Sequence, residues 1–318
     1  MSEHTVAVPR RPAVSVVIPT YNSARYITET IGSVLNQTFG DLELIVVDDG
    51  STDDTPTVVT ACGPPVRLVS QANAGVCAAR NRGIREAAGR YLCLLDHDDY
   101  WFGDKLQRQV KAMQEHPDCG VIYSPYIPWA SDAAGRFPTP DSFDLAAYGD
   151  GIDAAFSGWI YHQFLLDCCM LTSTSMFRRE VFDHCGGFDE ALPYGEDWDL
   201  WLRISRDFTF VKLRRPDTLY RQHPQQGNRM VRPHDYRTLL LRRAMRTWGL
   251  CGPDARCVPR GKFLGQLAEY QSAYALGQLR AGHRGAGLAA LARAWVTRPR
   301  KVKLLAYLAA ALVGWRPR

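Results

Sequence analysis

Four short apolar runs in the first hundred residues each end in a polar or acidic cluster, with helix-like sequence between them. Residues 14–19 lead into Thr20, Tyr21 and Asn22. Residues 42–47 lead into Asp48 and Asp49, residues 66–70 toward Asn73, and residues 91–95 into Asp96, His97, Asp98 and Asp99. After the first run, Ile27, Ile31, Val34 and Leu35 recur at the spacing of one buried helix face. After the second, Gly50 permits a turn and Ser51 or Thr52 can cap a helix running toward Cys62. The third helix spans 76–88, with Gly89 as its stop. Strands alternating with helices predict an α/β fold whose mostly parallel sheet has right-handed crossovers. In such sheets ligands bind beyond the carboxyl ends of the strands, where every one of these clusters falls.

The last cluster is the most demanding. Three carboxylates this close repel one another unless a cation or hydrogen-bond donors compensate. Their oxygen atoms suit Mg²⁺ or Mn²⁺, which commonly clamp phosphates. On these residues alone, a metal–diphosphate site stands beside a plainer reading, a solvated acidic loop that caps the next helix.

A chain of 318 residues, 46% hydrophobic, suits one large or two small domains with a sizeable core. Its nine cysteines are odd in number and form no CxxC pair, which argues against a disulfide framework or structural zinc and for a reducing compartment. Adjacent Cys168 and Cys169 read as small buried hydrophobes. The opening residues do not resemble a signal peptide, and no apolar run reaches membrane-spanning length. The net charge of +5 conceals an asymmetry: from residue 231 onward there are 17 Lys/Arg against three Asp/Glu, so the preceding part is acidic.

Residues 14–22, 46–53, 74–84 and 95–99 resemble, in order and spacing, the successive signatures of family 2 glycosyltransferases, and the likeness covers roughly the first 225 residues. The resemblance implies the GT-A fold, a Rossmann-like, mostly parallel sheet flanked by helices, here with a C-terminal α-helical extension. It implies a nucleotide-diphosphate sugar as donor, with Pro19, Thr20, Tyr21 and Asn22 at the nucleoside pocket and Tyr21 stacked near the base. Asp48 would accept a hydrogen bond from base or ribose, and Arg80 would lie near the phosphates, which a guanidinium matches. Asp96 would contact ribose or sugar and Asp98 would ligate Mn²⁺ or Mg²⁺. His97 is a spacer, and Asp99 supports the turn or caps a helix beginning near Asp104.

Downstream, Leu106, Val110 and Met113 mark a helix and residues 120–126 a strand. Residues 129–157 form a loop-rich insert on the acceptor side. Residues 172–177 are strand-like, and Gly186 and Gly187 permit a tight turn. A helix starting near Glu196 buries Leu200, Trp201 and Ile204, so Glu196 and Asp197 sit at its N-terminus, where negative charge is stabilised. The resemblance places a catalytic base at this pair, and an acceptor hydroxyl needs one. Asp197 is assigned as the base and Glu196 as second choice, a contact to an acceptor hydroxyl, while Asp199 is structural. Beyond a strand at 209–213, His223 resembles the family's late motif, which implies that it completes the metal or diphosphate site; the other reading is a structural histidine. Arg221 or Arg229 would neutralise diphosphate from a mobile loop.

The expected organisation is a nucleotide-sugar-binding half (1–105), an acceptor-binding and catalytic half (106–230), and a basic helical region (231–318). The final helix, near residues 302–313, is too short to span a bilayer. Arg298, Arg300, Lys301, Lys303, Arg316 and Arg318 flank it. It is read as lying on an anionic membrane, or as docking on the catalytic domain or on a second copy in a homo-oligomer. The resemblance implies a carbohydrate or glycolipid acceptor in surface-polysaccharide or glycolipid assembly, and the expected location is cytoplasmic, either free or peripheral on the inner face of the plasma membrane. Nucleic acid is not an expected partner, because the basic tail has no recognition motif. Two other readings are a nucleotidyltransferase, for which the N-terminal region lacks a Gly-rich Lys/Arg phosphate loop, and a non-catalytic sugar-nucleotide-binding protein, which would need no base.

Overall fold

Strands that are apolar on both faces must be covered on both, and the first elements obey this. In the computed structural model, which describes residues 11–223, 231–299, 302–315 and 317, β1 (Val14–Thr20) is buried along its whole length. It is followed by α1 (Ile27–Leu35), β2 (Leu42–Asp48), α2 (Thr55–Ala61), β3 (Val66–Ser70), α3 (Val76–Glu86) and β4 (Tyr91–Leu94). Next come β5 (Tyr100–Trp101), α4 (Lys105–Glu115), β6 (Cys119–Tyr123) and β7 (Tyr126–Ala130). Then follow α5 (Tyr161–Phe164), β8 (Ser175–Arg178), α6 (Arg179–Cys185), α7 (Glu196–Ile204), β9 (Thr209–Lys212) and β10 (Thr218–Gln222).

The main sheet has seven strands in the order β3-β2-β1-β4-β8-β6-β9. All its pairings are parallel except those of β8, which runs antiparallel to β4 and β6. The chain leaves β1 to build β2 and β3 on one side and returns to place β4 on the other. The carboxyl ends of β1 and β4 therefore flank a topological switch point, the usual crevice of an open α/β sheet. Helix α3 lies close over β1, because a Cβ on Gly83 would sit 2.1 Å from Val17 Cγ1.

Three local expectations are corrected. Helix α3 ends at Glu86, and Gly89 is not its stop: Ala87 is already extended, and Gly89 is needed because a Cβ there would lie 2.5 Å from Ser15 N. Ser51 and Thr52 do not cap α2; they bond to Asn22 instead. The strand expected at 120–126 is two strands. Ser124 and Pro125 carry the chain out of the main sheet into a second one, ordered β5-β10-β7. Proline lacks the N–H a ladder needs, and the Ser124 hydroxyl is committed to Asp217. The insert that follows contains three short 3₁₀ turns, and its Phe137, Phe143 and Leu145 pack onto Phe102, Trp129 and Leu219.

Between the sheets lies a polar network that no sequence pattern announces. Lys105 and Asp217 form an ion pair at 3.2 Å with both side chains fully buried. Gln109 Nε2 (3.0 Å), Thr218 Oγ1 (2.9 Å) and Ser124 Oγ also donate to Asp217, and the Lys105 ammonium lies 4.8 Å over the Trp101 ring. Burial pulls the Lys105 pKa down while Asp217 pulls it up. Breaking such a pair strands a buried charge, so Asp217→Ala is expected to lose about 3–5 kcal/mol of stability in denaturant unfolding. The double change Lys105→Met/Asp217→Leu should recover much of the loss; equal instability of single and double variants would refute this account.

Two compact units interleave along the chain: Met1–Gly158 with Met170–Pro193 and Phe208–Gln222, and Trp159–Cys169 with Tyr194–Asp207 and His223–Arg318. The second contains α5, α7, α8 (Tyr236–Trp248), α9 (Arg260–Arg280), α10 (Arg284–Thr297) and α11 (Val302–Leu312). Its core joins Ala275, Leu279, Leu291, Ala294 and Leu304. Here the cysteine expectation is corrected, since Cys251 and Cys257 form a disulfide. Gly252 to Arg256 turn back on themselves, with Ala255 at φ +63°, and bring the two into an antiparallel bridge. A six-residue separation carries no motif, so only the turn reveals the pairing. Cys168 and Cys169 are half-buried rather than buried. Arg229, Arg300, Lys301, Arg316 and Arg318 lie outside the described residues. No helix among the described residues is long and apolar enough to cross a membrane.

Candidate active site

The ends of β1 and β2 are tied together by backbone and side chain. Asp49 N donates to Thr20 O, 2.9 Å away, and Thr20 and Ser23 share a hydroxyl–hydroxyl bond. Asn22 stands in the left-handed region at φ +49°, a conformation asparagine tolerates better than most residues. From there its Oδ1 accepts from Thr52 N (2.8 Å), and its own N–H donates to Ser51 Oγ (2.9 Å). This clamp leaves Tyr21 46% exposed beside the switch point, a ring available for stacking. The two neighbouring aspartates divide their work. Asp49 accepts from Gln71, Ala74 N and Gly75 N and so pins the start of α3. Asp48, the last residue of β2, pairs in register with Thr20 and accepts from Ser51 N at 3.3 Å.

At the exit of β4 the acids have different environments. Asp96 pairs with Arg80 at 2.7 Å; Arg80 is nearly buried on α3 and lies 5.1 Å over the Phe188 ring. Asp99 is fully buried. Ser173 Oγ donates to it at 2.6 Å and accepts from Asp96 N at 3.1 Å, while Arg221 N donates to its other oxygen at 3.1 Å. Burial first, then the Asp98 and Asp96 carboxylates, push the Asp99 pKa well above the ordinary carboxylate range. Tyr220 is pushed up by burial and by the same three acids. Asp99 thus supports the turn, and the helix-cap alternative fails: α4 begins at Lys105 after Asp104.

Arg221 also overturns an expectation. It lies in β10 and only 2% of it is exposed. Its Nε donates to Asp98 O at 2.6 Å, its NH2 group pairs with Glu29 at 2.5 Å, and its guanidinium stands 4.0 Å from the Trp129 ring centre, with Tyr26 and Phe137 each at 4.7 Å. An arginine fixed this way does not reach diphosphate from a mobile loop; it holds the backbone of the acid turn. Thr30 Oγ1 braces the same turn, 2.8 Å from the carbonyls of both His97 and Asp99. Ser173, Glu29 and the aromatic box around Arg221 were invisible to motif reading, because each reaches the turn from a distant part of the chain.

Pro19, Thr20, Tyr21, Asn22, Asp48, Arg80, Asp96 and Asp98 all belong to the first compact unit. Glu196, Asp197 and His223 belong to the second. Glu196 and Asp197 occupy the first turn of α7, which is preceded by Gly195 in the left-handed conformation. Asp197 Oδ1 accepts from Trp198 N at 2.6 Å, and Trp198 Nε1 donates to Phe164 O at 2.8 Å. Asp199 is buried and bonded to Arg203 and Arg243, a structural role. His223 is nearly buried, directly after β10.

The model of the family described as Glycosyl transferase family 2 matches residues 15–185, more than half of the chain. The chain belongs to glycosyl transferase family 2. This family 2 member is 31% identical over 196 residues to an uncharacterized glycosyltransferase of Rickettsia prowazekii, covering 61% of this chain and 59% of that one. It is 30% identical over 200 residues to chondroitin synthase of Escherichia coli, covering 62% and 27%. The chain therefore spans well under two thirds of these relatives' own length. Among solved structures, S. aureus TarS 1-349 in complex with UDP-GlcNAc aligns with a TM-score of 0.64 at 20% identity, covering 94% of this chain and 87% of that one. The mannosyltransferase PcManGT of Pyrobaculum calidifontis in complex with GDP-Man and Mn²⁺ aligns at 0.58 and 23% identity, covering 97% and 82%. At these identities the likeness establishes the fold of the family 2 chain, a mostly parallel mixed sheet flanked by helices with a helical C-terminal region.

Proposed function

We propose that this chain is a metal-dependent, inverting glycosyltransferase that moves a sugar from a nucleotide-diphosphate donor to an acceptor hydroxyl. The observation that carries the reading is the acid turn after β4, held rigidly by Arg80, Ser173, Thr30 and Arg221 at the switch point of the sheet. Burial first, then the neighbouring Asp98 and Asp96 carboxylates, raise Asp99, and a cation would relieve the charge part of that crowding. The donors are hard oxygens, which fit Mn²⁺ or Mg²⁺. Among the described residues no three His, Cys, Asp or Glu side chains group to hold a metal. A cation here would take one or two carboxylates and complete its shell with donor phosphates, the usual habit of Mg²⁺.

Asp98 is the proposed metal ligand, with His223 as the second. The ion would supply charge to the diphosphate leaving group. Tyr21 stacks on the base, with Pro19, Thr20 and Asn22 shaping that pocket, and Asp48 accepts from base or ribose. Asp96 orients ribose or sugar while its partner Arg80 faces the phosphates. Asp197 removes the proton of the acceptor hydroxyl, and Glu196 bonds a neighbouring hydroxyl. The oxygen then attacks the anomeric carbon from the face opposite the diphosphate. The acceptor is a carbohydrate or glycolipid in surface polysaccharide or glycolipid assembly, at the cytoplasmic face of the plasma membrane. The chondroitin synthase of E. coli and the hyaluronan synthase of Pasteurella multocida among the relatives favour such a setting.

A thermal-shift panel of nucleotide sugars tests the reading. One UDP- or GDP-sugar is expected to raise Tm with Mn²⁺ or Mg²⁺ and far less with chelator, since ligand at 100 Kd stabilises by about 2.7 kcal/mol. If no nucleotide sugar shifts Tm under either condition, the donor assignment fails.

A further inference from the structure

Helix α11 is apolar on two faces. Leu304 and Ala311 turn inward to the core formed with α10 and α9. On the opposite side Val302, Leu305, Ala306, Ala309, Leu312 and Val313 follow one another at helical spacing, and every one is exposed. Val302 is 74%, Leu305 43%, Leu312 59% and Val313 85% exposed. A helix stripe of this width without a polar residue is built to be covered.

Charge indicates by what. From residue 270 onward the chain holds nine Lys/Arg and not one Asp or Glu. Arg293, Arg298 and Lys303, close to the stripe in sequence, are all exposed. A second copy of the same face would set cation against cation, which opposes association. Anionic lipid headgroups would instead neutralise these cations while the acyl boundary takes up the stripe. The helix has 11 residues, about 16 Å at 1.5 Å per residue. That is about half the hydrocarbon thickness of a bilayer, so it lies in the membrane plane.

We propose that the outer face of α11 docks the chain on an anionic lipid surface. Docking does not depend on sugar transfer and is tested without donor or acceptor. The full chain is floated with phosphatidylcholine vesicles that contain or lack phosphatidylglycerol. It is expected to rise with the anionic vesicles at low salt, to be released as salt screens the headgroups, and to ignore the neutral ones. Leu305→Glu/Leu312→Glu should weaken flotation by about tenfold or more, since charge in the stripe opposes insertion. Leu305→Ser, milder at an exposed position, should weaken it less, and circular dichroism identical to that of the parent shows that both variants fold. Failure of the parent to float with anionic vesicles, or equal flotation of the folded Glu variant, overturns the proposal. So does a dimer in sizing experiments that the Glu variant breaks while vesicles are ignored, which would assign the face to a second copy.

Discussion

Asp98→Ala is expected to abolish the metal-dependent part of donor binding. The Asp98 carboxylate is one of the charges that push the buried Asp99 up, second only to burial itself. Its removal takes one like charge away from Asp99. The same removal deletes the proposed ligand, and loss of one such electrostatic contact to a leaving group costs about 10²–10³ in kcat. Alanine keeps the backbone carbonyl to which Arg221 Nε donates, so that tie to the turn survives the substitution. The measurement is a pair of melting curves, with and without Mn²⁺ and the donor found in the panel, followed by a donor-hydrolysis rate. A variant that keeps the parent's metal-dependent shift would remove Asp98 from the metal site.

Asp197→Asn is the second large effect, and it should divide binding from chemistry. The asparagine keeps an Oδ1 able to accept from Trp198 N, so the first turn of α7 retains that bond. What it lacks is basicity. A positioned general base is worth about 10²–10⁴-fold, and kcat for transfer should fall by that much while the metal-dependent thermal shift of the donor survives. Glu196→Gln is the control: a residue that only bonds an acceptor hydroxyl should raise the acceptor KM more than it lowers kcat. Near-normal turnover in Asp197→Asn would transfer the base assignment elsewhere. Loss of the donor shift as well would show the residue to be structural.

Much of the first unit was legible before any coordinate. Buried parallel strands announce themselves as apolar runs, and their ends as polar clusters, because both features are local in sequence. Val14 to Thr20 and Tyr91 to Asp99 are examples, whereas the pairing of β1 with β4 is a matter of strand order that the alternation of strand and helix does not give. Helix boundaries were less legible. Helix α3 ends at Glu86, before Gly89, whose close approach to Ser15 leaves no room for a Cβ. The division at Ser124 and Pro125 was missed because a strand that changes sheets looks continuous in hydropathy, and the Cys251–Cys257 bridge because a turn at Ala255, not a motif, brings the sulfurs together.

The residue types needed for phosphate and metal chemistry, their order, and the alternation that puts them at strand ends were determined by the sequence alone. Tertiary structure alone decided which acid is exposed and which is buried, that Arg221 clamps a backbone instead of reaching for a ligand, and that one side of α11 is left bare. The physical reason is range. Propensity and periodicity act over a few residues, whereas desolvation and ion pairing depend on what arrives from elsewhere, as Glu29, Ser173 and Arg221 do at the acid turn.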